Sequence, residues 1–544
     1  MEVVTGQHES CNRGAPRAWL VLVAITGVSY RCSRLRPRVP FSRAFSQQGD
    51  TPIGAPWAAA QVGAGQVLTF LEELVGERSA RKLLYAATMT SHLLFGSALL
   101  LTAVGCSGTD STPSANTDVT VAQSKVAQVP ASAVPAGDVV AAVSANNAFA
   151  VDLYTNALKA APNGNLLTSP ISATLALTMT YAGAQGQTRV EMAKALHLAS
   201  DAGDSVFAGQ NALSQALNAR GAAAFAAQRE EPGVTPLSAD NYQLQVVNSV
   251  WGEKSYTWEA PFLDNLAANY GTGVYQEDFV HASEPARATI NDWVSAHTND
   301  KINDLIPSGG VDDTTRMVLV NAIHLKLPWQ NDFEVNQTRP DTFTRGDGTT
   351  VSAQFMGRAA DVAYVDDGQA QVVSLPLANR ELSVVIALPH ADVSLADYEA
   401  SLSAGSSALS TPKAHQLVDL GLPKATFTSR SVSLSAALQA MGMKQAFDPG
   451  TANFQGVCAH TPDGRKLYVG DVIQKAMISM QESGVEAAAA TAVVLAGNAA
   501  GPYPQPTPVP MLVNRPYLVA IVDDPTGAVL MLGQIQDPTD VGSP

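Results

Sequence analysis

From about Val139 onward the hydrophobic positions change period repeatedly, and each change marks an element. Between Asn146 and Ala160, Phe149, Leu153, Tyr154 and Leu158 fall on one helical face. Ser169-Pro170 reads as an N-cap followed by proline at the first helical position, where its missing N–H would be unpaired anyway. That helix should run to about Tyr181 and stop in Gly183 and Gly186. Thr188 and Glu191 stand at capping-box spacing and predict a third helix carrying Met192 and Leu196. Period-two alternation over Tyr242 to Val246 predicts a one-sided strand. Met317 to Ile323, Gln371 to Leu377 and Leu382 to Leu388 are dense in Val and Leu, which predicts strands covered on both faces. Leu518 to Val522 and Ala528 to Leu532 flank a turn, Asp524-Pro525-Thr526-Gly527. Helices and strands are mixed rather than strictly alternating, so the fold class is α+β.

Before residue 139 the pattern is different. Met89 opens an uncharged stretch, MTSHLLFGSALLLTAVGC, ending in small residues and Cys106, with Arg81 and Lys82 just upstream. A basic start, an apolar run and a small-residue cleavage region are the parts of a secretory signal. Ala103-Val104-Gly105-Cys106 resembles a bacterial lipoprotein signal, which implies lipidation of Cys106 after cleavage; Ala103 stands where that pattern usually has Leu. The same stretch, Leu83 to Val104, is just long enough to span a bilayer uncleaved. Either route exports the chain beyond Cys106, to an outer-membrane or cell-surface location or into the extracellular medium. Residues 1–88 lack helical or strand periodicity and precede the signal, so translation is expected to start at Met89. Residues 107–138, rich in Ser, Thr, Ala, Pro and Asp, are expected to be a disordered tether reaching on the order of 30 Å. The folded domain should occupy 139–540.

Composition narrows the function. Hydrophobic residues make up 46% of the 544 and charged ones 15%, enough for a substantial core. Residues 1–88 hold 10 of the 33 Lys and Arg and 6 of the 48 Asp and Glu, and 89–105 hold neither. The remainder of the chain is therefore 23 basic against 42 acidic, which argues against nucleic acid as a partner. Cys11 and Cys32 lie in the head and Cys106 has its own use, leaving Cys458 as a small buried hydrophobe. The sequence holds no His-Glu-x-x-His, Gly-x-Ser-x-Gly, Cys-x-x-Cys or phosphate loop, and its nine histidines show no metal-ligand spacing. No metal or cofactor is expected, and no enzymatic activity.

The segment that stands out begins at Glu482: Ser483, Gly484, Val485, Glu486, then Ala487, Ala488, Ala489, Ala490 and Thr491, continuing through Leu495 to Gly497. Asn498, Ala499, Ala500 and a proline-rich stretch around Tyr503 come next. Propensity alone would make this a helix and a linker. It comes after a good strand, Ala476 to Met480, however, and Gly484 offers a hinge. As a strand it would place Val485, Ala487, Ala489, Thr491, Val493 and Leu495 on one face and Glu486 on the other.

Over roughly residues 145–537 the chain resembles the serpins. Glu482-Ser-Gly-Val-Glu-Ala-Ala-Ala-Ala-Thr491 is similar to the hinge of their inhibitory members. Asn321-Ala-Ile-His-Leu-Lys326 with Trp329 and Phe333 resembles the core block Asn-x-x-x-x-Lys-Gly-x-Trp. Ser169-Pro-Ile-Ser172, Gly183-Ala-Gln-Gly-Gln-Thr-Arg-Val-Glu-Met192 and Asn514-Arg-Pro-Tyr517 match further ordered blocks. Leu327 replaces the usual Gly, Tyr517 replaces Phe, and Gln474 stands where many members carry His.

The resemblance implies a large central, mostly antiparallel sheet with surrounding helices, further sheets and an exposed reactive-centre loop. It implies a monomer that inhibits a serine protease as a suicide substrate, with an opening region built around Ser169, Ser172, Asn321 and Trp329. Counted from the hinge, the reactive bond is Asn498-Ala499; counted back from Asn514 it lies near Gln505, because the loop is long for the family. No Lys or Arg lies between Val485 and Pro510, and Leu495, Asn498, Ala499, Ala500 and Tyr503 suit elastase-, subtilisin- or chymotrypsin-like targets. A non-inhibitory serpin, acting as a binding or chaperone module, is the other reading.

Overall fold

A computed structural model describes residues 119–159, 162–199, 203–220, 242–378, 380–429, 431–485 and 507–542. Among them, α1 (Ala136–Leu158), α2 (Pro170–Tyr181), α3 (Gly186–Ala195) and α4 (Ser205–Asn218) form the first helical group, with β2 (Leu166–Thr168) between α1 and α2. Phe149, Leu153 and Tyr154 of α1 are fully buried, as their shared face predicts. The helix starts at Ala136 rather than near Asn146, because Ala142, Val143 and Ala145 also face the interior. Of this helix only Ala136, Gly137 and Asp138 fall in the stretch expected to be a tether.

The tether reading is corrected further upstream. β1 (Thr120–Ala122) pairs antiparallel with β4 (Val274–Glu277) at the edge of a sheet. Past it, the Val129 carbonyl accepts from Asn211 Nδ2 at 2.7 Å and Gln215 Nε2 at 2.8 Å, both on α4. The Val129 N–H donates to the Ala268 carbonyl of α5 (Ala260–Tyr270) at 2.8 Å. Residues 119–138 are thus ordered by backbone pairing and side-chain amides, which composition does not register. Residues 107–118, the head, the apolar stretch and Cys106 lie outside the described residues. No helix among the described residues is long and apolar enough to cross a membrane.

A second correction concerns the capping box. Thr188 lies inside α3, not at its cap; its hydroxyl accepts from the Asn453 N–H at 3.0 Å. The Glu191 carboxylate accepts from the Lys444 and Gln445 N–H groups at 2.9 and 2.7 Å. Both side chains satisfy the backbone of a distant loop instead of their own helix.

The central sheet runs β1, β4, β3 (Gln243–Glu253), β5 (Met317–Pro328), β14 (Gly484–Val485), β13 (Val472–Gln481) and β11 (Ala425–Thr428), with β12 (Val432–Ser433) also on β13. The helix α6 (Phe279–His297) covers its outer face through Phe279, Ile290 and Val294, packed against Trp251, Val318, Val320 and Ile473. α2 underlies the inner face.

The second sheet runs β15 (Val509–Leu512), β10 (His415–Pro423), β7 (Thr350–Asp366), β8 (Ala370–Pro376), β9 (Leu382–Pro389), β16 (Tyr517–Asp523), β17 (Ala528–Ile535) and β2, with β6 (Arg339–Thr344) on β7. The short helices α7 (Leu395–Ala400) and α8 (Ser435–Ala440) complete the set. β5, β9, β16 and β17 are buried on both faces, with Lys326 as the half-buried exception. Each Val, Leu or Ile so buried contributes about 1.5–3 kcal/mol, which explains their unbroken apolar runs. The β16–β17 hairpin turns at Gly527, whose φ of +75° favours glycine. Cys458 is a buried free thiol.

Candidate functional site

Two strands of the central sheet, β5 and β13, run parallel and pair directly from Leu319 to Ile323 against Val472 to Ala476. Above that contact they are held apart by β14. Gly484 pairs antiparallel with Pro328 on one side and Gln481 on the other; Val485 pairs with Leu327 and Met480. The sheet is therefore closed along its lower part and wedged open at its top by the first residues of the expected hinge.

Glycine is required at the first of these positions. Gly484 has φ +144°, and a Cβ there would lie 2.3 Å from the Leu327 carbonyl oxygen and 2.4 Å from Pro328 Cα. Val485 is fully buried in the same cluster as Leu327, Trp329, Phe427 and Met480. Leu327, where the family usually has glycine, forms part of that seat. Trp329 braces the wedge from above: its Nε1 donates to the Gln481 carbonyl at 2.8 Å. The Phe333 N–H donates to the Glu482 carbonyl at 2.8 Å. The Glu482 carboxylate accepts from Thr338 Oγ at 2.9 Å and pairs with Lys424 at 2.9 Å. Burial pushes this carboxyl up, but the Lys424 and Thr338 bonds outweigh it and hold the group below the usual range.

Lower down, the inward side chains are polar. Gln474 Oε1 accepts from the Ser169 N–H at 2.9 Å. Its Nε2 donates to the Ser169 carbonyl at 2.8 Å and to Asn321 Oδ1 at 3.0 Å. Ser169 Oγ lies 3.1 Å from Ser172 Oγ and donates to the Leu530 carbonyl at 3.0 Å. All four residues are buried, and Asn321 Nδ2 has no hydrogen-bond partner. On the outer face, Lys475 Nζ donates to the Asn303 carbonyl at 2.8 Å, pinning the connection between α6 and β5 onto β13. Burial draws the Lys475 ammonium down from its ordinary value, with Asp304 acting the other way.

Gln474 links Ser169 to Asn321, Ser169 bonds Ser172, and Trp329 holds the end of β13 through the Gln481 carbonyl. Gln474, at the position where the resemblance places a histidine that bonds across the opening region of the central sheet, is the hub of these contacts. Lys475 and the Glu482–Lys424 pair carried no sequence signal, since their partners are far away in the chain. Glu486 to Thr491, Leu495, Asn498, Ala499, Ala500 and Tyr503 lie outside the described residues.

Two large sheets, a helix laid across the central one, and a long segment joining β14 to β15 define the serpin architecture. Comparison with known proteins agrees. The family Serpin (serine protease inhibitor) matches residues 144–538. A human leukocyte elastase inhibitor is 30% identical over 407 residues, covering 73% of this chain and 99% of that protein. An uncharacterized serpin-like protein of Thermococcus kodakarensis is 32% identical over 399 residues, covering 73% and 86%. Among solved structures, the thermophilic serpin tengpin in its native state superposes with a TM-score of 0.65 at 24% identity, covering 77% of this chain and 99% of that one. Human thyroxine-binding globulin complexed with thyroxine gives 0.62 at 25%, covering 74% and 100%. The chain belongs to the serpin family of serine protease inhibitors.

Proposed function

We propose that this serpin inhibits its target as a suicide substrate, with Glu482 to Thr491 as the hinge that enters the central sheet. The observation that carries the reading is the seat of Val485 between Leu327 and Met480. Continuing that register, each further residue descends one step on both strands. Ala487 and Ala489 would meet Leu325 and Ile323 on one side, Ile478 and Ala476 on the other. Thr491 would arrive between Asn321 and Gln474, bringing a hydroxyl to the two amides that insertion separates. Glu486 would face outward beside Lys326, an opposite-charge cross-strand pair. The alanines keep the entering strand small enough for a sheet that must part to admit it.

In this mechanism the protease serine attacks the carbonyl carbon of Asn498. The Asn498–Ala499 bond breaks, the Ala499 amine takes a proton and leaves, and an ester joins Asn498 to the enzyme. The freed hinge then inserts, gaining about ten backbone hydrogen bonds at roughly 1 kcal/mol each, and carries the acylated protease with it. Leu495, Ala500 and Tyr503 are neighbouring cleavage positions. The apolar, uncharged loop favours elastase-, subtilisin- or chymotrypsin-like enzymes. Export through the 89–106 signal, with Cys106 lipidated, would display the body at a bacterial surface as a monomer.

Incubation with elastase, subtilisin and chymotrypsin followed by denaturing gels tests the reading. A detergent-stable covalent band with one of them is expected. Clipped protein without any such band would overturn inhibition in favour of a binding or chaperone module.

A further inference from the structure

We propose that the open face of the β7–β10–β15 sheet is a docking platform for the attacking protease, selecting an enzyme whose rim beside its active-site cleft carries Lys or Arg together with apolar side chains. This rests on the inhibitory reading, since the reactive loop is what brings the enzyme here. The three strands set their residues in rows: Asp361 opposite Leu417, Ala359 opposite Asp419 and Pro510, Gly357 opposite Gly421 and Leu512. Residues opposite one another share a face. The alternate positions, Val362, Val418, Leu420 and Met511 among them, are buried in the core. The open side is not covered: the Asp361 side chain is 72% exposed, Leu512 is 41% exposed, and Ala359 and Asp419 are exposed. Gly421 keeps the surface flat, because a Cβ there would lie 2.6 Å from Leu512 Cδ1.

Both ends of the loop come down beside this face. The downstream end runs into β15 and Leu512. At the upstream end, the Glu482 carbonyl is bonded to the Phe333 N–H, and two residues further on Val335 is 66% exposed. The turn Val335–Gln337 then meets the sheet, its Gln337 carbonyl oxygen 3.3 Å from where a Cβ on Gly357 would stand. A row of small residues therefore links two large hydrophobic side chains left in solvent, one at each foot of the loop. Exposed apolar groups beside a recognition element mark a contact surface. Chain length supplies the occupant. Eight steps lead from Ala499 to Thr507, the first residue described beyond the loop, at most about 28 Å of chain. A serine protease domain of ordinary size is about 45 Å across, so an enzyme holding Asn498 keeps its flank within reach of the platform. The face also carries a sign. Glu334, Asp361 and Asp419 are exposed carboxylates. His415 lies 3.7 Å from Asp361 at one margin, and Arg339 stands opposite Phe355 at the other. Arg358 is engaged with the Phe333 ring and the Asn331 carbonyl. Rim charges of this kind act mainly on the rate of association.

Association kinetics of the full chain test it, with leukocyte elastase, a cationic serine protease, as the probe. The wild-type rate constant should fall at least about fivefold between about 20 and about 300 mM NaCl. Asp361→Asn with Asp419→Asn should lower it at least about threefold at the low salt and flatten its salt dependence. Val335→Ser with Leu512→Ser should lower it by a similar factor at every salt concentration and leave the slope in place. Neither pair should move thermal unfolding or the division between trapped complex and clipped chain, because both lie off the hinge and the central seam. Where elastase clips the loop without being trapped, the inhibitory reading fails alone, and the same comparison read as kcat/KM of clipping still decides the platform. A wild-type rate indifferent to salt, unchanged rates in either variant pair, or a wild type that elastase neither traps nor clips would each overturn the proposal.

Discussion

Gln474 Nε2 donates to Asn321 Oδ1 at 3.0 Å, and this bond joins the two strands that β14 holds apart at their other end. The same amide holds both backbone groups of Ser169 at the start of α2. One side chain therefore ties the closed sheet shut and ties it to the helix beneath. Replacing Gln474 by Leu would strand the Ser169 N–H and carbonyl and the Asn321 amide in the interior. A loss of about 2–4 kcal/mol is expected for the intact protein in denaturant unfolding, as a sum of a few unpaired buried groups.

The seat of Val485 is apolar and closed. Val485→Arg would require a charge to enter it, at a cost of several kcal/mol for an unpaired buried group. Since about 1.4 kcal/mol is a tenfold change, partitioning should shift more than tenfold from trapped complex toward cleaved product. Gel densitometry of complex against clipped chain reads this directly. Undiminished complex formation would contradict insertion through this seat.

Tyr517 carries a hydroxyl where the family usually has Phe. The side chain is fully buried, its oxygen has no hydrogen-bond partner, and burial pushes the phenol far above its ordinary value. Tyr517→Phe removes an unpaired polar group without changing the ring. A gain of about 1 kcal/mol is expected in denaturant unfolding; a loss of that size would mean the hydroxyl is satisfied.

Glu399 on α7 is buried and accepts a 2.6 Å hydrogen bond from Tyr154. Burial raises its carboxyl to about 7, against a smaller lowering by the Tyr154 bond. The folded state then holds a proton that the unfolded chain releases near its ordinary value of about 4.3. Stability should therefore be greater below pH 4.5 and fall as pH rises toward 7, by on the order of 2–3 kcal/mol from this group. Glu399→Gln should flatten that slope, as measured by unfolding free energies at pH 5 and pH 7.5.

Much of this architecture was legible in the order of residues alone. Ser169-Pro170 set the start of α2, the apolar runs marked β5, β8, β9, β16 and β17, and Asp524 to Gly527 turned the last hairpin. Those features are local: period, cap and turn chemistry act over a few neighbouring residues, so they show along the chain itself.

What needed three dimensions were the contacts between distant segments. Residues 119–135 looked like a tether because they bury little of themselves; their order comes from β4 and from the amides of Asn211 and Gln215. Thr188 and Glu191 had capping spacing, yet a loop more than two hundred positions away claimed both side chains. Gln474 stood at a position that the resemblance ties to the opening region, yet its bonds to Ser169 exist only because β13 lies beside β5 and over α2. Hydrogen bonding depends on distance and direction in space, and a linear pattern carries neither for groups that only folding brings together.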